Sequence, residues 1–202
     1  EYSMLDGAAK IVDYLKKVKE LNQPAAAITD HGNLYGAMEF VQKANDLGIK
    51  PIIGYEAYIT PGSRFDRPDR ENNKRYHLTL LAENNIGYQN LVELVSKAYT
   101  EGYYYKPRID YELLDQHHDG LIALSGCLGG ELAQHLAPDG SVEEGNTSNE
   151  RSFEKALDIA KKYQSIFGKE NYFIEIHNHG IKQQLDILDD LVEIAKLIDA
   201  PL

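Results

Sequence analysis

The stretch that best indicates the fold of this chain is Pro24-Ala25-Ala26-Ala27-Ile28-Thr29-Asp30-His31-Gly32, an apolar run that ends in polar residues. Such a run predicts a short buried strand that delivers the Asp-His pair into the loop after it. Helical spacing of apolar residues flanks it over residues 6–21 and 34–47, and Gly48 follows in the position of a helix stop. This part of the chain is therefore predicted as helix–strand–helix, with polar chemistry at the end of the strand.

The alternation of strands and helices continues along the chain. The strands are predicted at residues 24–29, 51–59, 77–82, 121–125 and 172–176. Further helices are predicted at residues 87–101, 111–116, 128–136, 153–167 and 183–198. Strands that alternate with helices of this length predict an α/β fold of parallel βα units. Because candidate ligands fall in loops after strands, a barrel or barrel-like sheet is favoured.

Length and composition limit the class of protein. The 202 residues, 43% hydrophobic, predict one globular domain over residues 1–202. A single cysteine excludes an internal disulfide and fits a reducing, cytoplasmic setting. No apolar run approaches the ~18 residues that span a bilayer, so no membrane partner is expected. The chain starts without Met and stops where an apolar strand is about to begin, so we expect it to be part of a longer chain.

Charge restricts the partners. The chain has 21 basic and 32 acidic residues, and a net charge of −11 disfavours tight electrostatic binding to a polyanion. The densest basic segment, residues 64–75, is interleaved with acidic residues. If the chain acts on nucleic acid, another part of a longer protein must do most of the binding. Solubility alone is the preferred explanation of the acidic surface.

Candidate metal donors occur near four of the predicted strand ends: Asp30 and His31, Glu56, His77, and Cys127. These residue types are the donors that Zn or Mn accepts, so together they predict a polynuclear site at one rim of the barrel. Each has another explanation taken alone. Asp30 fits a helix cap, Glu56 a solvent-facing strand position, and Cys127 a small buried hydrophobe.

His77 differs from the others because it opens its predicted strand. If residues 52–59 and 76–82 form a hairpin, the returning strand brings His77 back beside Glu56. A carboxylate in an otherwise apolar strand needs a cation nearby, which favours Glu56 as a ligand that bridges two metals.

Two weaker patterns remain open. Glu175, His177 and His179 alternate and would share one face of a strand, which indicates either a metal site or an exposed strand end. The connector Tyr103-Tyr104-Tyr105 with Lys106 and Arg108 could stack bases and bind phosphates, or could pack its rings over the core.

Six motifs occur in order along the chain: Glu1-Tyr2-Ser3-Met4-Leu5-Asp6-Gly7, Thr29-Asp30-His31-Gly32-Asn33, Pro51-Ile52-Ile53-Gly54-Tyr55-Glu56, His77-Leu78-Thr79-Leu80-Leu81-Ala82, Gly102-Tyr103-Tyr104-Tyr105-Lys106-Pro107-Arg108-Ile109-Asp110 and Leu124-Ser125-Gly126-Cys127. With these motifs the chain closely resembles the polymerase-and-histidinol-phosphatase (PHP) domain of bacterial DNA polymerase III alpha subunits, over essentially all 202 residues. The resemblance implies a distorted seven-stranded βα barrel with up to three divalent metals, Zn or Mn, at one rim. By motif the ligands are Asp6, His31, Glu56, His77 and Cys127, with Asp30 as a neighbouring group.

The resemblance also implies a function. Members of the family are phosphoesterases, and in some polymerases the domain is a metal-dependent 3′–5′ exonuclease. The expected catalytic residues are Glu56, His31 and Asp30, and the expected partners are the primer 3′ end of DNA and the remaining polymerase domains. The alternative is a non-catalytic structural module that stabilises the polymerase and binds a separate proofreading exonuclease.

Two family motifs are missing from this sequence. A His-x-His pair would precede Glu1 and an Asp-x-His would follow Leu202, so the barrel is expected to be truncated at both ends. We therefore expect at most one tightly held metal, at Glu56, His77 and Cys127, and little exonuclease activity from this chain alone.

Overall fold

A computed structural model describes residues 2–3, 7–69, 72–137 and 151–202. The elements in chain order are α1 (Ile11–Glu20), β1 (Ala25–His31), α2 (Ala37–Asp46), β2 (Lys50–Ile59), β3 (Tyr76–Ala82), α3 (Asn85–Thr100), β4 (Arg108–Ile109), α4 (Tyr111–Gln116), β5 (Leu121–Leu124), α5 (Glu131–Leu136), α6 (Phe153–Phe167), β6 (Tyr172–Phe173), α7 (Lys182–Asp186) and α8 (Leu188–Ile198).

The strands of the described residues form one six-stranded sheet. Its order is β1-β2-β3-β5-β6, with β4 paired to β2 beside this path. β1 and β4 run parallel to β2, and β6 runs parallel to β5, whereas β3 is antiparallel to both of its neighbours. β3 is therefore the one reversed strand in this sheet.

The predicted α/β class is confirmed, with two differences in the sheet. β3 departs from the pattern of parallel βα units: the described residues between β2 and β3 contain no crossover helix, and the strand returns antiparallel to β2, as in the hairpin considered above. The path of the sheet does not close on β1 in the described residues, so the barrel implied by the resemblance is present as an open sheet.

Helices cover the sheet through their apolar stripes. α1 buries Ile11, Leu15 and Val18 against Phe40 of α2 and Ala26 of β1, which makes a small core on that side. The larger core packs α3, α5, α6 and α8 around β2, β3 and β5. No helix in the described part of the chain is long and apolar enough to cross a membrane.

Helix boundaries differ from prediction where side chains satisfy the backbone locally. α2 begins at Ala37 rather than residue 34 because the Asn33 side chain accepts a hydrogen bond from the Tyr35 amide and closes a turn. The helix predicted over residues 183–198 divides into α7 and α8 at Ile187.

The β2–β3 connection is anchored by a buried ion pair. The Arg64 guanidinium lies 2.9 Å from Asp110 Oδ1 and 2.7 Å from Glu101 Oε2. The fully buried Arg108 donates to the carbonyl oxygens of Gly102, Arg64 and Asp66. These contacts fix this connection against the segment that leads into β4.

Candidate metal centre

The β1–β2–β3 register brings three predicted ligands onto one face of the sheet. His31 pairs with Glu56 across β1 and β2, and His77 pairs with Tyr58 across β2 and β3. Side chains alternate along a strand, so Glu56 and Tyr58 share a face, and both histidines join them there. This is the arrangement expected above for the case in which β2 and β3 form a hairpin that brings His77 back beside Glu56.

The Glu56 carboxylate lies between the two imidazoles. Its Oε1 is 2.8 Å from His77 Nδ1 and its Oε2 is 3.3 Å from His31 Nδ1. Ligand atoms of the three residues all lie within 4.8 Å of one another. Each oxygen thus faces a different histidine, which is the disposition a bridging carboxylate needs.

Cys127 approaches the same group from the loop after β5. Its Sγ is 3.6 Å from His77 Nδ1 and 4.0 Å from Glu56 Oε1, and it accepts a hydrogen bond from the Gly129 amide. The loop can lie this close to β3 because it is rich in glycine: Gly126 has φ +88°, and a Cβ on it would lie 2.7 Å from the His77 carbonyl oxygen.

Asp30 and Asp6 stand apart from these ligands in different ways. Asp30 neighbours His31 in β1 and so points to the opposite face of the sheet, where its Oδ1 accepts a hydrogen bond from Ser3 Oγ at 2.6 Å. The same hydroxyl accepts a hydrogen bond from the His31 amide. Asp30 therefore contacts the histidine strand through Ser3, while Asp6 lies outside the described residues.

The Glu175–His177–His179 segment forms a cluster without forming a strand. β6 ends at Phe173, so the expected alternation on a strand face was wrong. Glu175 is held by a hydrogen bond from its amide to Ser125 Oγ, and its Oε1 lies 2.6 Å from His177 Nε2. Both side chains line the cavity that Cys127 also lines, next to the centre.

Sequence reasoning missed one contributor to the centre, Tyr58. The ring of this buried tyrosine stacks on the His31 ring at 6.2 Å and meets the His77 ring edge-on at 5.3 Å. Lys106 approaches Tyr58 from β4's side, with Nζ 3.3 Å from the Tyr58 hydroxyl. The sequence did contain one signal: Tyr58 lies two residues after Glu56 and therefore on the same face of the strand. That signal could be used only once the pairing of β2 with β3 was known. Arg108, considered above as a phosphate ligand, is instead buried.

The donor set suits a divalent metal of intermediate softness. Two imidazoles and a carboxylate come together in the described residues, with a thiol beside them. Imidazole and thiolate favour Zn, and carboxylate is accepted by both Zn and Mn. The side chains therefore fit a metal site made from three strands and one loop.

Comparison with known proteins gives a consistent picture. The family model of the PHP domain matches residues 1–179. The DNA polymerase III subunit alpha of Thermus aquaticus is 50% identical over 97% of this chain and 15% of its own length. The Treponema pallidum subunit is 46% identical over 100% of this chain and 16% of its own length. The Deinococcus radiodurans subunit is 50% identical over 91% of this chain and 13% of its own length.

The chain is thus homologous to a limited part of those polymerase subunits, about a sixth of their length. A solved structure from Bifidobacterium adolescentis aligns over 96% of this chain and 80% of its own, with 10% identity and a TM-score of 0.38. Nothing about this chain follows from a likeness at that level.

Proposed function

The chain belongs to the PHP domain family, and on that premise we propose that it is a metal-dependent phosphoesterase unit that acts on the 3′ end of DNA. The observation that carries the proposal is the convergence of His31, Glu56 and His77 within 4.8 Å. Homology to DNA polymerase III alpha subunits supports DNA as the substrate and proofreading, by 3′–5′ exonuclease action, as the role.

We propose Zn or Mn as the metal, held by His31, Glu56, His77 and Cys127, with Asp6 as a further ligand by motif. When bound, such a metal stabilises charge on a phosphoryl oxygen and makes water a nucleophile at neutral pH. The two oxygens of Glu56 support its assignment as the shared ligand, since each faces one histidine.

The remaining residues would orient these ligands. Tyr58 packs against both imidazole rings and limits their rotation. The Gly129 amide fixes the position of Cys127 Sγ. Asp30 acts through Ser3, which binds the His31 backbone, so its proposed role is to position His31 rather than to contact the phosphate.

The Glu175–His177 pair lies beside the centre. The Glu175 carboxylate is 2.6 Å from His177 Nε2 and orients the imidazole. Because both residues line the same cavity as Cys127, they are candidates for proton transfer to or from a bound substrate.

A second candidate function is structural. The donors come from β1, β2, β3 and the loop after β5, so metal binding at this centre would link separate segments of the fold. Metal binding of that kind stabilises the folded state whether or not hydrolysis follows. This supports the module role, in which the domain stabilises a polymerase and contacts a separate exonuclease.

The test is to strip the purified chain of metal, titrate Zn or Mn, and measure nucleotide release from a 3′-labelled oligonucleotide. Because the two terminal motifs are missing from this sequence, we expect only weak cleavage. It should appear with metal, be lost in His77→Ala, and persist in His118→Ala, a histidine just after α4. Cleavage that His77→Ala leaves unchanged would refute the phosphoesterase proposal. A metal-dependent rise in Tm without any cleavage would support the structural role instead.

A further inference from the structure

A group of exposed tyrosines lies on the surface next to the candidate metal centre. We define this tyrosine band as Tyr2, Tyr35, Tyr99, Tyr103 and Tyr105, each between 38% and 65% exposed. Five large aromatic side chains at this level of exposure are not accounted for by core packing. They come from the segment before α1, the loop after β1, and the end of α3 with its following connector.

The members of the tyrosine band contact one another. Tyr2 meets Tyr35 edge-on with ring centroids 6.4 Å apart, and Tyr99 stacks on Tyr103 at 6.0 Å. A hydrogen bond between the hydroxyl groups of Tyr35 and Tyr99 joins the two pairs. Burial and, to a smaller extent, this hydrogen bond raise the pKa of Tyr99 to about 12. The first four tyrosines therefore form a connected aromatic surface.

Tyr105 is presented at the tip of a tight turn. It has φ +62°, a left-handed conformation that a bulky residue rarely adopts, and Tyr104 and Lys106 bridge on either side of it. Tyr104 packs edge-on against Tyr105 at 4.7 Å and donates its hydroxyl to the Pro68 carbonyl oxygen. The turn thus holds an exposed ring in a fixed place at a cost in backbone strain.

Lys106 connects this turn to the metal centre. Its ammonium lies 5.0 Å from the centre of the Tyr58 ring and 3.3 Å from the Tyr58 hydroxyl. Tyr58 in turn contacts the rings of His31 and His77. A single side chain therefore separates the Lys106 cation from the candidate ligands.

One acidic group beside the tyrosine band is compensated by basic side chains. Glu101 lies between Tyr99 and Tyr103 in sequence, but its carboxylate binds Arg64 and Lys97. The hydrogen bond from Arg64, more than that from Lys97, holds the pKa of Glu101 below its ordinary value. The local surface is therefore less repulsive to an anion than the net charge of the chain indicates.

Exposed aromatic faces beside one cation match a particular ligand. Unpaired bases stack on aromatic side chains with little dependence on sequence, and a lysine can contact the backbone phosphate between them. A duplex has no exposed base faces and depends on many phosphate contacts, which an acidic chain does not offer. We propose that the tyrosine band and Lys106 form a binding track for single-stranded nucleic acid, which leads its terminal phosphodiester to the metal centre. The direction of the track rests on the proposed function; the binding itself does not.

The test is binding of a 5′-fluorescein oligo(dT) of about twelve nucleotides, within the usual site size of such proteins, to the chain in EDTA. Fluorescence anisotropy gives the Kd of wild type, Tyr103→Ala, Tyr105→Asn and Lys106→Gln. Asparagine is chosen at position 105 because it tolerates a positive φ. Tyr14→Ala and Lys17→Gln on α1 are the matched controls, and circular dichroism checks folding.

We expect each tyrosine variant to bind about tenfold more weakly, since one base–aromatic stack is lost, and the controls to bind as wild type. Lys106→Gln should also reduce the salt dependence of binding by about 0.7 in log–log slope, the value for one phosphate contact on a single strand. Because the chain has no tryptophan, stacking should quench its tyrosine fluorescence directly.

Separate readouts distinguish this inference from the proposed function. Hydrolysis of the small ester bis(p-nitrophenyl) phosphate by the metal-loaded chain tests the proposed function by itself, and the controls Tyr14→Ala and Lys17→Gln should leave it unchanged. If oligonucleotide binding depends on the tyrosines but neither the oligonucleotide nor the small ester is hydrolysed, the phosphoesterase proposal is refuted and the binding track is still supported. Wild-type affinity in both tyrosine variants, or no binding of oligo(dT) by the wild-type chain, would overturn the track and indicate a surface that contacts protein.

Discussion

Glu131 offers a direct test of the energetics of this fold. The residue opens α5 and is only 5% exposed, and its Oε2 accepts hydrogen bonds from the hydroxyls of Tyr111 and Tyr163. Burial raises the pKa of the Glu131 carboxyl above the ordinary value of 4.5, although the two hydrogen bonds and the charge of Lys162 act in the opposite direction. Glu131→Gln removes the charge, and its amide oxygen can still accept from both hydroxyls.

The sign of the effect follows from the direction of this shift. A raised pKa means that the folded state binds the proton more tightly than the unfolded chain. The corresponding stability is present below pH 4.5 and is lost as the pH rises through the raised pKa. For one proton the loss is at most about 1.4 kcal/mol per pH unit. Wild type should therefore lose stability relative to Glu131→Gln as the pH rises from 4.5 toward neutrality.

The measurement is urea unfolding by circular dichroism at several values of pH, with the difference between variant and wild type taken at each. Glu93→Gln, an exposed position on α3, is the control for removal of a surface carboxylate. The difference for Glu131→Gln should grow with pH while that for Glu93→Gln stays nearly flat. A Glu131→Gln difference that does not change between acidic and neutral pH would refute the reasoning, because the buried carboxyl would then titrate as it does in the unfolded chain.

Three further changes test the centre and its support. Glu56→Gln keeps the shape of a shared ligand but removes its charge, so bound metal should fall more than for any single terminal ligand; unchanged metal by elemental analysis would make Glu56 a polar strand residue only. Gly129→Ala places a Cβ 3.0 Å from His77 Nδ1, and we expect weaker Zn binding with little loss of stability in a competition titration. Equal Zn affinity would show that the ring shifts without consequence. Asn84→Ala removes the cap that binds the Ile86 and Gly87 amides of α3 and should cost about 1 kcal/mol in urea unfolding; no change would mean that water replaces the cap.

The sequence predicts an element well when its pattern is long enough to show a period. β1, β2 and β3 have seven to ten residues each, and their predicted positions agree with the structure. β4 was not predicted, because its two residues are too few for any alternation to appear. β6 covers only the first two residues of the strand predicted at 172–176, and the pairing of both strands depends on partners far along the chain. The reversed direction of β3 likewise depends on the connection that precedes it.

The candidate site divides in the same way. Residue type alone selects His31, Glu56, His77 and Cys127, since donors in apolar surroundings are conspicuous. The face on which each donor lies depends on register, and this separates Asp30 from His31 although they are neighbours in sequence. Tyr58 was not predicted, because a tyrosine in a strand carries no chemical signal until β3 pairs with β2 and brings His77 against its ring.

The acidity of the chain and its proposed substrate can be reconciled through the kind of contact involved. Phosphate binding through Lys and Arg needs net positive surface, and a chain of net charge −11 gains little from it. Base stacking on tyrosine depends on neither charge nor sequence, so a track of aromatic rings can bring a polyanion to this surface. In the proposed metal site, Glu56 would supply the carboxylate that binds the divalent cation. On this reasoning affinity for the nucleic acid should change little with salt, whereas its hydrolysis should depend strongly on the metal.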